Sequence, residues 1–402
     1  MGLLNQKLRN HQPLLWVVLV CVITSCNTST DPKETCDFPP GNRDFTWAVD
    51  TVAWWPSTVG GVWAFADDDA YVMGYIVDDT SPSTVRPGRH WNGKEWEDDI
   101  NGTWGFDNVT ETWGDIKIDP RNDVTGDDHF MVAVGKWGIN SITYGGVAEF
   151  DNRTKTWKSY QLQSAEGELR GVWTDGEGFF IAVGDNGMVY SKDGYEAEWV
   201  YSKAPTEFNF FQIAGVSKVE IYVTSYLSLA SGVTYEQLWK FNGSTWQKLY
   251  DTQNPNEGLL QQGSIQFEGV NDIAPYRCSV SDSLKLYWVA NESFLLSSEG
   301  QSLNYEAQNL TELGLPLRQK GRTGLWVDLF TPNDVWIYGT RFNFYHWNGI
   351  SFQKMTIPEL PNDDTQFGYQ RKMVKTKSGK VFFPTEISSQ VYVVAQGVTT
   401  TN

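Results

Sequence analysis

The side chains best equipped for chemistry here are carboxylates: 49 Asp and Glu stand against 31 Lys and Arg and only 4 His. Asp67-Asp68-Asp69, Asp175-Gly176-Glu177-Gly178 and the stretch Asp119 to Asp128 each bring oxygen donors close together in sequence, the ligand type that Ca²⁺ takes. Two carboxylates about 5 to 10 Å apart in a cleft would also suffice to hydrolyse a glycosidic bond. All three clusters fall where a turn between strands is expected, and Asp and Gly are standard turn formers. The expectation is therefore turn chemistry and no cofactor, with Ca²⁺ at the turn carboxylates as the alternative. No H-E-x-x-H, G-x-S-x-G, paired C-x-x-C or phosphate loop occurs. His90 and His346 each precede a repeated Trp and are expected to be strand residues, which argues against a histidine-rich metal centre.

A second set of residues could act by contact. Trp54, Trp55, Trp104, Trp137, Tyr144, Tyr226, Tyr235, Phe342 and Phe344 have no counterpart in the repeats described below, and Arg86, Arg89 and Arg341 stand among them. Rings beside a few polar groups suit stacking on sugars or anchoring a protein partner. The alternative is that they pack long loops against the body.

These residues need a scaffold, and repeats supply it. Trp91-Asn92-Gly93-Lys94-Glu95-Trp96, Phe241-Asn242-Gly243-Ser244-Thr245-Trp246 and Trp347-Asn348-Gly349-Ile350-Ser351-Phe352 share an aromatic, Asn-Gly and a second aromatic. Asn-Gly between alternating apolar residues is the strongest short-range hairpin signal, read as a turn with both residues at positive φ. Looser copies lead to Trp157, Trp199 and Tyr305, giving six hairpins about 42 to 61 residues apart. That period fits four strands per unit, as in propeller blades. Seven apolar pairs followed by β-rich runs precede the hairpins, from Val62-Trp63 to Met373-Val374. The missing outer strand is expected near the start of the body, in Phe45-Thr46-Trp47-Ala48-Val49. The reading is an all-β, single seven-bladed β-propeller, with six to eight blades allowed, closed by pairing residues 45–52 with a strand near Gln390 to Ala395. Closure removes exposed sheet edges. The repeated Trp residues are expected to fill the gaps between blades.

In such a meander the first and third turns share one end, and here they are short. The second turns and the links between blades share the other end and are long. Function-bearing loops on a rigid scaffold are the usual reason for that asymmetry, so the long-loop end is the candidate binding face.

Residues 1–25 read as an export signal, with Lys7 and Arg9 at the start, an apolar run from Leu14 to Ile23 and the small Ser25. The run is shorter than the roughly 20 residues that span a bilayer. Ile23-Thr24-Ser25-Cys26 resembles the bacterial lipobox, which implies cleavage before Cys26 and acylation of its sulfur. Residues 26–43 then form a polar tether and 44–402 the propeller. Cys36 and Cys278 are the remaining cysteines, and an oxidising envelope permits their pairing without requiring it. The net charge of −18 opposes nucleic acid as a partner.

The blade pattern resembles sialidase-type, Asp-box and kelch-related bacterial propellers, and especially propeller lipoproteins with a W-N-G-x-x-W repeat. Ser191-Lys192-Asp193-Gly194 is similar to an Asp-box, though no sialidase arginine triad can be placed on the chain. The resemblance covers roughly residues 45–397 and implies fold more than activity. The expected function is a monomeric, non-catalytic protein- or glycan-binding module. It is expected at a bacterial cell envelope, held to the outer membrane through lipid on Cys26. A carbohydrate-active hydrolase or lyase is the alternative.

Overall fold

Runs such as Phe179-Phe180-Ile181-Ala182-Val183 are aromatic or β-branched, too short for helices and bounded by Asp and Gly, and they fold as strands. In the computed structural model the chain is an all-β β-propeller. The structure describes residues 38–77, 85–97, 119–139, 142–229, 231, 234–253, 272–277, 284–290, 294–299, 305–309, 326–338, 344–358, 360, 371–387 and 391–400.

β1 (Phe45–Trp54) comes first in the chain but pairs with its last strand. The first sheet is β2 (Thr58–Ala66), β3 (Asp69–Val77), β4 (Val85–Trp91) and β5 (Trp96–Glu97). The second is β6 (Asp119–Gly126), β7 (Phe130–Ile139), β8 (Ile142–Asp151) and β9 (Thr156–Glu166). The third is β10 (Leu169–Thr174), β11 (Phe179–Gly184), β12 (Met188–Asp193) and β13 (Val200–Lys203). The fourth is β14 (Asn209–Ser217), β15 (Glu220–Ser228), β16 (Thr234–Phe241) and β17 (Trp246–Asp251). The fifth is β18 (Asp272–Arg277), β19 (Leu284–Ala290), β20 (Phe294–Glu299) and β21 (Tyr305–Asn309). The sixth is β22 (Trp326–Thr331), β23 (Asp334–Tyr338), β24 (Phe344–Trp347) and β25 (Phe352–Met355). The last holds β26 (Val374–Lys375), β27 (Val381–Ile387) and β28 (Val391–Thr399), with β1 as its outer strand. β1 meets β28 from Phe45↔Thr399 to Trp54↔Val391, a longer pairing than residues 45–52 would make.

Apolar side chains gather between neighbouring sheets. Tyr71 and Met73 of the first sheet pack with Met131, Ala148 and Phe150 of the second. Trp336, Tyr338 and Phe344 of the sixth pack with Val381 and Phe383 of the last. Trp63 and Trp173 wedge between sheets as the repeats suggest, and each lies against a glycine of the next first strand. A Cβ on Gly126 would come within 2.7 Å of the Trp63 ring, and one on Gly215 within 2.8 Å of Trp173. Only glycine lets the backbone approach a ring that closely.

The Asn-Gly turns differ from the two-residue form. Gly93, Gly243 and Gly349 have φ near +90°, but the asparagines before them do not have positive φ. Each asparagine instead turns its Oδ1 toward two backbone N–H groups, as Asn92 accepts from Lys94 and Glu95 at 2.9 Å. Trp91 pairs directly with Trp96, so the loop has four residues closed by an Asx-turn. Residues 38–43, expected in the tether, lie on the sixth sheet: the Gly41 N–H donates to the Asn333 and Asn348 carbonyls, and Arg43 donates to the His346 carbonyl.

Candidate functional site

Antiparallel order places the second turns and the links at one end of the sheets, and several of the candidate contact residues sit there. Arg86 pairs with Ile76 beside the β3–β4 turn, Trp137 with Tyr144 beside the β7–β8 turn, and Tyr235 with Leu227 beside the β15–β16 turn. Tyr226 pairs with Glu236 at the same level and meets Phe211 edge-on, with centroids 5.8 Å apart. Arg89 lies further along β4, opposite Val72. Trp104, Arg341 and Phe342 fall outside the described residues, as do Cys26, Cys36 and Cys278.

Their exposures separate them. Trp54 is 47% and Trp55 68% exposed, whereas Arg86, Arg89, Trp137, Tyr144, Tyr226 and Tyr235 are half-buried. The turn that displays the two tryptophans is braced at both sides. The Ser57 N–H donates to the Trp54 carbonyl at 2.8 Å, and the Ser57 hydroxyl accepts from the Val77 N–H at 2.9 Å. Trp137 packs against the apolar cluster shared by the first two sheets, and its indole N–H finds no acceptor among the described residues. Phe344 departs from the expectation. It is 1% exposed, edge-on to Phe383 at 4.8 Å, so it is a core residue and not part of a displayed face.

A polar cluster also lies where the first strands line the axis. Asp123 accepts from the N–H of Val124 and from that of Val172 on the next sheet, each at 3.0 Å. Asp272 accepts in the same way from Ile273 and from Val327 of the next sheet, and Asp328 accepts from Met373 and the Tyr338 hydroxyl. Each aspartate thus clasps its sheet to the following one. Lys372 extends among them and donates to the Ile213 carbonyl at 3.2 Å. Burial pushes Asp272 up to about 7 against the pull of Lys372, with the negative charge of Asp328 adding to the rise. Burial likewise raises Asp328 to about 6, and Asp123 is also raised. Lys372 would be lowered by burial, but the three carboxylates more than reverse this. Both oxygens of Asp123 and of Asp272 are engaged by backbone N–H groups, which makes these acids clasps between sheets.

At the other end the histidines prove to belong to clamps. Asp334 holds His346 at 2.8 Å, the Trp336 indole at 2.9 Å and Lys375 of the last sheet. Asp69 holds His90 at 2.9 Å and Lys155 of the second sheet at 3.2 Å. Glu220 holds Lys240 at 2.5 Å and Arg277 of the fifth sheet. The rings of Tyr71 and Trp336 stack on the histidines at 4.5 Å. Burial alone would raise these three acids, but hydrogen bonds with His90, His346, Lys240 and Arg277 and the charges of Lys155 and Lys375 hold them below the usual carboxylate range. The turn carboxylates are similarly occupied: Asp127 accepts from His129 and Phe130, and Asp175 from Glu177 and Phe179. Among the described residues no group of three or more His, Cys, Asp or Glu is arranged to hold a metal ion.

These clamps had a signature in the sequence. Asp69-Ala70-Tyr71, Glu220-Ile221-Tyr222 and Asp334-Val335-Trp336 share an acid two residues before an aromatic, and His90, Lys240 and His346 each precede an aromatic-Asn-Gly. Asn122-Asp123-Val124 and Asn271-Asp272-Ile273 mark two of the axial clasps in the same way. Lys372 has no comparable signal.

No protein-family model and no curated protein matches the sequence. Among solved structures, the chain is similar to YCF48 bound to D1 peptide, at 14% identity and a TM-score of 0.55 over 90% of this chain and 98% of that one. It also matches the extracellular domain of a hybrid two-component system from B. thetaiotaomicron, at 11% identity and a TM-score of 0.46 over 88% of this chain and 39% of that one. The first likeness agrees with the propeller fold.

Proposed function

We propose that the chain is a non-catalytic binding module for protein or glycan, held at a bacterial cell envelope by lipid on Cys26, with the long-loop end as its binding face. Its seven four-stranded sheets act as seven blades of one ring, closed where β1 pairs with β28. The observation that carries the reading is the pair Trp54 and Trp55, two large rings displayed on a braced turn at the long-loop end. An indole in that position desolvates readily against a sugar face or an apolar side chain, and Trp is enriched among residues that dominate interface energies. The likeness to a propeller solved with a bound peptide makes a peptide segment a reasonable first ligand to try. At the axis, Asp123 and Asp272 spend both oxygens on backbone N–H groups instead of presenting them to a substrate, and this favours binding over catalysis.

The test is capture on peptide and glycan arrays by the full chain and by a Trp54→Ala/Trp55→Ala variant. Loss of a binding hot spot should cost about 2 kcal/mol or more, roughly thirtyfold in Kd. Ligand capture equal to that of the unaltered chain would refute this face as the site.

A further inference from the structure

The described chain starts on the short-turn end. The Asn333 side-chain amide donates to the Phe38 carbonyl at 2.5 Å, and the Phe38 ring stands edge-on to Tyr276 with centroids 5.5 Å apart. The Gly41 N–H donates to the carbonyls of Asn333 and Asn348 at 2.9 and 3.1 Å, and Arg43 donates to the Ser351 hydroxyl at 3.1 Å. Asn333 lies in the β22–β23 turn, while Asn348 and Ser351 lie in the β24–β25 turn. Residues 38–43 are therefore fastened across the tips of the sixth sheet, and the chain reaches the body at that end.

We propose that the short-turn end is laid against the bilayer that holds the acylated Cys26, so that Trp54 and Trp55 face away from the lipid. The proposal rests on the lipid-anchor reading above. Cys26 and Phe38 are 12 residues apart, and even full extension spans no more than about 40 Å. β1 carries the chain from the short-turn end to the long-loop end over 10 residues, roughly 33 Å of strand. To set the long-loop end on the same bilayer, the linking residues would have to run nearly straight along the whole depth of the sheets. Contact by the short-turn end needs no such extension.

The surface at that end suits the role. Ile350 at the β24–β25 tip is 70% exposed and Val219 at the β14–β15 tip 56% exposed, so apolar side chains stand out where they would meet the headgroup region. Exposed lysines at the same end are matched by acids: Lys94 by Glu95 at 3.7 Å, Lys155 by Asp69 at 3.2 Å, Lys218 by Asp193 at 3.2 Å and Lys377 by Asp128. These four lysines offset part of the acidic charge at the tips, where Asp68, Glu177 and Glu198 are also exposed. An anionic bilayer meets at this end only the few charges left over within a Debye length, a weaker repulsion than the −18 of the whole chain would give.

The experiment uses the full chain exported from a bacterium with its own signal and reconstituted into vesicles of phosphatidylcholine and phosphatidylglycerol. Ile350→Cys and Leu229→Cys, each in a Cys36→Ser/Cys278→Ser background, carry a fluorophore at the short-turn end and at the β15–β16 turn respectively. A nitroxide on the lipid headgroup is expected to quench the probe at position 350 several-fold more than that at 229. Equal quenching, or stronger quenching at 229 because Trp55 seeks the interface, would overturn the orientation. Protein that fails to float with the vesicles would instead overturn the lipid anchor, and the orientation with it.

Discussion

Phe344 and Trp55 look alike in the sequence, since each is an aromatic with no repeat counterpart beside a long connection. What separates them is the neighbouring sheet. Phe344 meets Phe383 and Tyr338 in the cluster between the sixth and last sheets, while Trp55 stands on a turn at a sheet boundary. Contacts between sheets join residues far apart in sequence, so an alternation pattern shows that a side chain faces a neighbour and not whether that neighbour covers it. Aromatics at repeat positions were legible for the opposite reason. Trp63 and Trp173 recur because every sheet boundary presents the same gap. Phe344→Ala should therefore cost roughly 3 to 5 kcal/mol on unfolding, and Trp55→Ala should leave stability within about 0.5 kcal/mol. Chemical denaturation of the two variants measures both. Equal losses would mean that Trp55 also packs in the folded protein, and would remove it from the binding face.

Between elements, two kinds of carboxylate tie sheet to sheet, and they respond to pH in opposite senses. Asp69, Glu220 and Asp334 in the short-turn clamps are held below the usual range by the hydrogen bonds and charges of their clamp partners. Their contribution is present above the unfolded values of about 4 and is lost as pH falls through the lower folded values. Asp272 and Asp328 at the axis are raised by burial to about 7 and about 6. The folded state then binds more protons than the unfolded chain between these values and about 4, so stability falls as pH rises through that window. Thermal unfolding should accordingly peak near about pH 4, fall as pH rises to about 7 and level off above that. Lys372→Met removes the cation that favours the ionised axial acids, and the decline should steepen. A wild-type profile that is flat or rising between about pH 4 and about pH 7, with no change in the variant, would contradict this account. The clamps could have been found from their acid-x-aromatic spacing. The axial lysine could not, because its role comes from several first strands converging on one line, which no local pattern encodes.

At the scale of the whole molecule, the repeat count pointed to a missing outer strand, and the pairing of β1 with β28 supplies one. Its residues also bind the neighbouring sheet: Phe45 and Trp47 stand edge-on to the buried Trp336 at 5.6 and 6.3 Å. A Cβ on Gly397 would lie 2.8 Å from the Trp47 ring, so the β28 backbone fits closely beneath it. Removing β1 would strip two rings from the cluster between the sixth and last sheets and put the buried, apolar β28 at the sheet's edge in place of the half-exposed β1, an edge that templates association with other chains. Two truncations separate this role from that of the preceding segment. A chain beginning at Phe38 keeps every contact described for residues 38–54 and should melt within about 2 °C of the full length, less than the shift expected from 1 kcal/mol in a mid-sized domain. A chain beginning at Thr58 loses two aromatic side chains at roughly 3 kcal/mol or more each. At about 2 °C per kcal/mol it should melt at least 10 °C lower, and light scattering should show it associating through the bared edge. If both truncations melt together and stay monodisperse, β1 is an ornament on a sheet that is complete without it, and the ring does not depend on joining the two ends of the chain.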